Sequence, residues 1–219
     1  MFRSMIFIDY ENFDIAKYNY YKKIQLQQAV ELANANGTTP PTTIKPTCPS
    51  LDYNKLPQEI AKLAGENIQL LKTFLFIPKP DDFLMQDSGR LKKYNWQIGM
   101  KNQDFFDVIE GRHTARPMPG FTTSTMNIYN HNSYFIDEKG TDINLATHVL
   151  TKAFHNSYDI AIIVSADTDY IPVMDVLNTI GKSVIIVGVK GQNLFAFKQH
   201  SDRQIIIDDS TFNKCIRAT

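Results

Sequence analysis

Short segments that are almost entirely apolar alternate with helical patterns along this chain of 219 residues. The clearest apolar segment, 160–165, reads Ile-Ala-Ile-Ile-Val-Ser, and a second, 5–8, reads Met-Ile-Phe-Ile. Strands that are apolar on both sides need cover on both faces, which a parallel sheet receives from the helices that connect its strands. The pattern therefore predicts an α/β protein with a central, mainly parallel sheet of about five strands.

Residues 1–219 fit one domain with one insertion. The predicted strands cover 3–9, 68–77, 105–110, 160–165 and 183–187, with a last extended piece at 204–207 and a polar hairpin or edge-strand extension at 121–136. The predicted helices cover 12–35, 56–66, 82–98, 141–154, 168–180 and 193–200. The helix at 141–154 is expected to bury positions 143, 146, 150, 153 and 154. Residues 36–57 are rich in Thr and Pro, which resist helix and central strand, and so predict an exposed insertion.

Four aspartates occupy strand ends and helix starts. Asp9 ends the first apolar strand, Asp167 and Asp169 follow the strand at 160–165, and Asp142 opens the helix at 141–154. In an open parallel sheet, the carboxyl ends of the strands and the following helix starts lie on one rim. Carboxylates gathered there repel each other unless a cation lies between them, and a set of oxygen ligands favours Mg²⁺ or Mn²⁺. We therefore predict that Asp9, Asp142, Asp167 and Asp169 are both the metal ligands and the catalytic residues.

Each aspartate also has a purely structural interpretation, because acids and hydroxyl residues cap helix N-termini and favour the helix dipole. By that interpretation, Thr168 or Asp169 caps the helix after the fourth strand. Functional neighbours are expected to be Asn12, which can orient a water or a phosphate oxygen, and Ser165 and Thr168, whose hydroxyls can meet a coordinated water. Lys139 can neutralise a substrate phosphate. The histidines show no ligand spacing; they are His113, His131, His148, His155 and His200.

The overall charge does not indicate a nucleic-acid partner, since 23 basic residues balance 23 acidic ones. Any contact with a polyanion must therefore come from a local patch. The stretch 90–116 is such a patch, and Arg112 and Arg116 at its end are expected to hold an RNA backbone. Two cysteines, no recognisable signal peptide and no apolar run near the ~20 residues of a membrane span suggest a reduced, cytoplasmic protein without membrane contact.

These motifs resemble the NYN domain family, the LabA-like branch of the PIN-related nucleases. The matching stretches are 7–12 (Phe-Ile-Asp-Tyr-Glu-Asn), 106–112, 139–146, 158–170, 181–184 and 201–202. The resemblance implies a PIN-like three-layer α/β/α sandwich and a metal-dependent ribonuclease or RNA-processing protein. It assigns the site to Asp9, Asp142, Asp167 and Asp169, with Asn12 beside them. The chain departs from the family pattern at His148, where many relatives carry an acid.

Three functions remain in competition. The first is an endoribonuclease that uses Mg²⁺ or Mn²⁺ to hydrolyse single-stranded or structured RNA. The second is an RNA- or protein-binding regulatory module of the LabA-like type with little or no turnover. The third is a small-molecule phosphatase, although a covalent aspartyl-phosphate mechanism would want a second aspartate two residues after Asp9, where Glu11 stands. A homodimer remains open.

Overall fold

One seven-stranded sheet forms the centre of the computed structural model, which describes residues 1–217. The strand order is β4-β3-β2-β1-β5-β6-β7, and every neighbouring pair is parallel except β3 and β4. The strands are β1 (Phe2–Asp9), β2 (Ile68–Pro80), β3 (Phe106–Pro117), β4 (Tyr134–Lys139), β5 (Ile160–Val164), β6 (Ser183–Val189) and β7 (Arg203–Ile207). The predicted α/β class and mainly parallel sheet are confirmed.

Helices cover both faces of the sheet. They are α1 (Tyr10–Ala35), α2 (Leu56–Ala64), α3 (Ser88–Gly99), α4 (Thr141–Phe154), α5 (Ile171–Thr179) and α6 (Asp209–Lys214). Side chains of α1, α2 and α6 share one buried core with one face of the strands. Side chains of α4 and α5 share a second core with the other face. The sheet therefore has the two-sided cover that its apolar strands require.

The predicted count of about five strands was too low. The two strands outside that count lie at the sheet edges, β4 beside β3 and β7 beside β6. An edge strand has only one neighbour and tolerates polar residues, so β4 (Tyr-Phe-Ile-Asp-Glu-Lys) lacks the apolar signal of a central strand. The third strand is also longer than the predicted 105–110, because its second half pairs with β4.

The stripe that helix α4 buries overlaps the predicted one only in part: Ala153 belongs to both, and Ala146 and Leu150 are partly buried against the same core. Ile143 and Phe154 are 71 % and 65 % exposed, whereas Leu145, Val149 and Ala153 are buried. The buried residues follow an i, i+4 spacing, which keeps them on one side of the helix. Asp142, in the first turn of α4, points towards the rim of the sheet, and the next residue, Ile143, points outward.

The segment 36–55 crosses the surface and is fastened at two points. The side chain of Gln25 exchanges two hydrogen bonds with the backbone of Thr47, at 2.7 and 2.9 Å. Near its end, Leu51 forms an isolated bridge with Ile216, and Leu51 and Tyr53 are buried. The Thr/Pro-rich part is mostly exposed, although Pro46 is buried, and the last residues of the segment join the core.

The order of the strands reverses at β1. The chain moves from β1 to β2 and β3 on one side, and from β5 to β6 and β7 on the other. In open α/β sheets the crevice at the carboxyl ends of the strands beside such a reversal is the usual ligand site. β1 and β5 flank this crevice. Within residues 1–217, no helix is both long and apolar enough to cross a membrane.

Candidate functional site

Strand register brings Asp9 and Ser165 together at the crevice. Ile8 pairs with Val164, so the next residue of each chain segment, Asp9 on one side and Ser165 on the other, lies at the same level of the sheet. Ser165 Oγ donates a hydrogen bond to Asp9 Oδ2 at 3.1 Å, and both residues are buried. Asp9 also caps α1, because its Oδ1 accepts a hydrogen bond from the backbone amide of Asn12 at 3.2 Å. Capping and membership of the acidic site are thus compatible for this aspartate.

The hydroxyl of Tyr170 lies between the carboxylates of Asp9 and Asp142. It donates to Asp142 Oδ1 at 2.8 Å, and it stands 3.4 Å from Asp9 Oδ2. Tyr170 is buried at the start of α5, so the protein fixes its ring. Two acids that are 133 positions apart in the sequence therefore share one phenol.

Burial and mutual repulsion make these carboxylates costly to ionise. Burial raises the pKa of Asp9 to about 6; hydrogen bonds from Asn12 and Ser165 oppose the rise, and the charges of Asp142 and Glu138 add to it. The pKa of Asp142 is also raised, first by burial of its carboxyl group and then, against the hydrogen bond from Tyr170, by the neighbouring carboxylates. Such a field favours any bound cation.

Asp167 and Asp169 stand at the outer side of the crevice. Asp167 Oδ1 accepts a hydrogen bond from the backbone amide of Asp169 at 3.0 Å and caps the 3-10 turn Thr168–Tyr170. The capping residue is therefore Asp167, and the expectation that Thr168 or Asp169 would cap was wrong. Thr168 and Asp169 are exposed. Both aspartates lie close enough to Asp142 for their charges to raise its pKa.

Asn12 ties the two halves of the crevice together. Its Oδ1 accepts hydrogen bonds from the backbone amide of Ala166 and from Gln192 Nε2, both at 3.0 Å. Ser165 has a similar linking role, because its Oγ also accepts from the amide of Asp167 at 3.1 Å. These contacts connect the end of β1 with the loop after β5 and with the segment after β6.

Three basic residues occupy directly opposite positions on three neighbouring strands. Lys79 pairs with Arg112 across β2 and β3, and Arg112 pairs with Lys139 across β3 and β4; all three are exposed. We call Lys79, Arg112 and Lys139 the basic row. Lys139 Nζ lies 3.2 Å from Asp137, and Arg116 Nε lies 3.4 Å from the same carboxylate, so Asp137 partly neutralises both.

Comparison with known protein families identifies the family to which this chain belongs. The model of the NYN domain matches residues 3–208. The chain belongs to the NYN domain family. The match includes every element of the crevice, from β1 to β7.

The comparison with curated proteins gives no match. Among solved structures, the chain is similar to a protein of unknown function from Vibrio parahaemolyticus, with a TM-score of 0.49 and 14 % identity over 99 % of this chain and 96 % of that one. At this distance the likeness carries no functional argument.

One cluster in this NYN domain joins residues that sequence spacing had separated. Glu11 lies in the first turn of α1, His113 on β3 and Glu138 on β4, and one ligand atom from each lies within 4.8 Å of the other two. Among residues 1–217 this is the one group of three or more acid, His or Cys side chains that is so compact. The histidines showed no ligand spacing because these ligands come from separate elements.

His113 is the positively charged member of this cluster. Its burial opposes protonation, but the two glutamates overcome this effect and raise the pKa of His113 to about 9. The pKa of Glu138 is lowered, first by His113.

Sequence reasoning also overlooked Tyr170 and Gln192 as members of the site. For Tyr170, the available signal was a tyrosine directly after Asp167-Thr168-Asp169.

His148, the position where the chain departs from the family pattern, faces aromatic side chains. Its ring lies 5.9 Å from that of Phe74 and 5.7 Å from that of Phe76. Burial and then the charge of Lys152 lower its pKa, so the imidazole is neutral at physiological pH. The ring thus packs on the sheet and adds no charge to the crevice.

Proposed function

We propose that this NYN domain is a metal-dependent endoribonuclease that hydrolyses RNA phosphodiester bonds at Asp9, Asp142, Asp167 and Asp169. The observation that carries the proposal is the phenol of Tyr170 between the carboxylates of Asp9 and Asp142, at the crevice where the strand order reverses. A buried aspartate with a pKa raised to about 6 is costly for the fold, and sites of this kind cluster where proteins bind ligands or do chemistry. Membership of the family supports the same class of activity.

The donor set fits a hard divalent ion, Mg²⁺ or Mn²⁺. Mg²⁺ usually keeps several waters and binds through one or two carboxylates. This suits the described residues, in which no three of the four aspartates bring carboxylate oxygens within 4.8 Å of one another. Asp9 and Asp142 would hold the ion, and the half-buried Asp167 and the exposed Asp169 would bind its waters. When bound, the ion would acidify water and neutralise charge on the phosphodiester.

The protein itself fixes the orientation of the carboxylates that would hold the ion. Ser165 and the amide of Asn12 fix the carboxylate of Asp9 through both oxygens. Burial and the neighbouring aspartates raise the pKa of the Tyr170 phenol, so it keeps its proton and donates to Asp142. Two carboxylates with fixed orientations present a prepared site, which costs little reorganisation when charge develops in a transition state.

The basic row supports RNA as the substrate. Lys79 and Arg112 form no ion pair with the residues that the structure describes, and Lys139 stands three residues before Asp142. Cations on adjacent strands can follow successive phosphates, and their contribution to binding would decrease with salt. Arg116, shared with Asp137, would extend the same surface. Lys79 was not foreseen from sequence and enters through its pairing with Arg112.

The test is cleavage of end-labelled RNA in Mn²⁺ by wild type, Asp9→Asn and Asp167→Asn, with Asp175→Asn as matched control. Asp175 is an exposed aspartate of α5 bonded to His200, away from the crevice. We expect wild type to cleave the RNA only in the presence of the metal. The cleavage rate should fall at least a hundredfold in Asp9→Asn and in Asp167→Asn, and it should be unchanged in the control Asp175→Asn.

Other outcomes select the competing functions. RNA binding without cleavage, unchanged in all variants, would establish the regulatory module instead. Turnover of a small phosphate ester without RNA cleavage would establish the phosphatase. Cleavage by wild type that persists in Asp9→Asn and Asp167→Asn would refute the assignment of these aspartates.

A further inference from the structure

Beside the aspartate crevice, Glu11, His113 and Glu138 direct their ligand atoms at one point. Nε2 of His113 lies 3.4 Å from Glu11 Oε2 and 3.6 Å from Glu138 Oε2. The His113 side chain is 12 % exposed, and those of the glutamates are 33 % and 35 % exposed. Two carboxylates therefore converge on a largely buried imidazole that is open to solvent on the glutamate side.

The distances fit ligands around an ion better than they fit hydrogen bonds. A charge-assisted N–H···O bond measures about 2.7–2.9 Å, and the single N–H at Nε2 can point at only one oxygen. Ligands that bind a tetrahedral ion at about 2.0–2.2 Å lie roughly 3.3–3.6 Å from one another. The two separations, 3.4 and 3.6 Å, fall at that spacing.

An unsatisfied hydroxyl provides a second, independent observation. Thr141 is 1 % exposed, and its Oγ1 has no hydrogen-bond partner among the described residues. This hydroxyl lies close to the carboxylate of Glu138, one of the three residues of the cluster. Buried polar atoms normally have a partner, so an orphan beside the cluster indicates a missing water or ligand.

We propose that Glu11, His113 and Glu138 form a binding site for one divalent transition-metal ion, distinct from the Mg²⁺ or Mn²⁺ proposed for the aspartates. Imidazole together with carboxylate favours Zn²⁺ and similar borderline ions over Mg²⁺. Three protein ligands leave a fourth position for water, which the Thr141 hydroxyl can meet.

Such an ion would position the crevice. Glu11 follows Asp9 by two residues in the first turn of α1, and Glu138 precedes Asp142 by four. Between Glu138 and Asp142, Gly140 adopts a φ of 85°, which turns the chain into α4. One ion would therefore join the two segments that carry the bridged carboxylates, and β3 would supply the third ligand.

The experiment is a Zn²⁺ titration of chelator-treated protein by calorimetry, with Co²⁺ absorption as a spectroscopic readout. The variants are His113→Gln, Glu138→Gln and Asp167→Asn, all in a Cys48→Ser background so that the partly exposed thiol does not bind metal. Circular dichroism checks that each variant is folded.

We expect one Zn²⁺ per chain in wild type and Asp167→Asn, with affinity at least tenfold lower in His113→Gln and Glu138→Gln. Zn²⁺ should raise the Tm of wild type and Asp167→Asn, but not that of His113→Gln or Glu138→Gln. Absence of saturable binding, or equal binding in His113→Gln, would overturn the proposal and leave a protonated His113 paired with two glutamates. Asp167→Asn is expected to abolish cleavage and to retain Zn²⁺ binding, so failure of this proposal is distinguishable from failure of the nuclease proposal.

Discussion

Replacing Asp9 with Asn should stabilise the metal-free protein at neutral and alkaline pH. The carboxylate is 5 % exposed and charged under these conditions, and its pKa is raised to about 6 in the folded chain from the ordinary 3.8. Asn is neutral and nearly isosteric. Its Oδ1 can keep the bond from the Asn12 amide, and its Nδ2 can donate to Ser165 Oγ, which as a hydroxyl can accept as well as donate.

The magnitude follows from proton linkage. The folded state binds a proton at Asp9 more tightly than the unfolded state does, so the stability associated with this group is fully present below pH 3.8 and is lost as pH rises through about 6. A rise of about two pKa units corresponds to about 3 kcal/mol at pH 8 and roughly half of that at pH 5. Asp9→Asn should therefore gain up to about 3 kcal/mol at pH 8 and about 1.5 kcal/mol at pH 5.

The assay is urea unfolding of both proteins in EDTA at pH 5 and pH 8. Asp159→Asn is the matched control with the opposite sign, because hydrogen bonds from Arg3 hold the pKa of Asp159 down at about 2. That variant should lose stability at pH 8. If Asp9→Asn is no more stable than wild type at pH 8, or gains more at pH 5, the account of Asp9 as a strained buried charge is wrong.

Three other perturbations test separate parts of the site. Tyr170→Phe removes the donor that lowers the pKa of Asp142, so the acid limb of the pH–rate profile of cleavage should move to higher pH. Gly111→Ala should cost about 1–3 kcal/mol in thermal or urea unfolding, because its Cβ would lie 2.7 Å from the backbone nitrogen of Thr141. Gly99→Ala, where nothing lies within 4 Å, is its control and should be neutral or stabilising. Lys79→Ala and Arg112→Ala should each reduce the slope of log K against log salt for single-stranded RNA by about 0.7; unchanged slopes would remove the basic row from the RNA surface.

Sequence reasoning predicted the central strands of the fold well and the edge strand β4 poorly. β1, β5 and β6 are buried on both faces, so their apolar composition alone marks them as strands. β7 (Arg203–Ile207) matches the extended piece predicted at 204–207. β4 (Tyr134–Lys139) was not predicted with its correct bounds, because a strand at the sheet edge lacks the apolar signal of a central strand. Helix α4 was placed correctly along the chain, but its buried face depends on how it approaches the sheet, and two large apolar residues remain exposed.

For the site, the chain order of the acids was readable but their partners were not. Asp9 and Asp167 follow apolar strands, and parallel pairing brings strand ends to one rim whatever the remaining details. The phenol of Tyr170, the Asn12–Gln192 link and the Glu11–His113–Glu138 cluster join residues from separate elements. No local spacing encodes such contacts.

The sequence by itself determined that this chain forms a two-sided parallel sheet with acids at its carboxyl rim, because buried strands must be apolar and their polar residues can appear only where they end. Only the tertiary structure decided which charges meet. Strand register placed Ser165 under Asp9, the close approach at Gly111 seated α4 with Asp142 near Tyr170, and the pairing of β3 with β4 brought His113 opposite Glu138. Electrostatic energies depend on distances of a few ångströms and on burial, and both are set by packing and not by position along the chain.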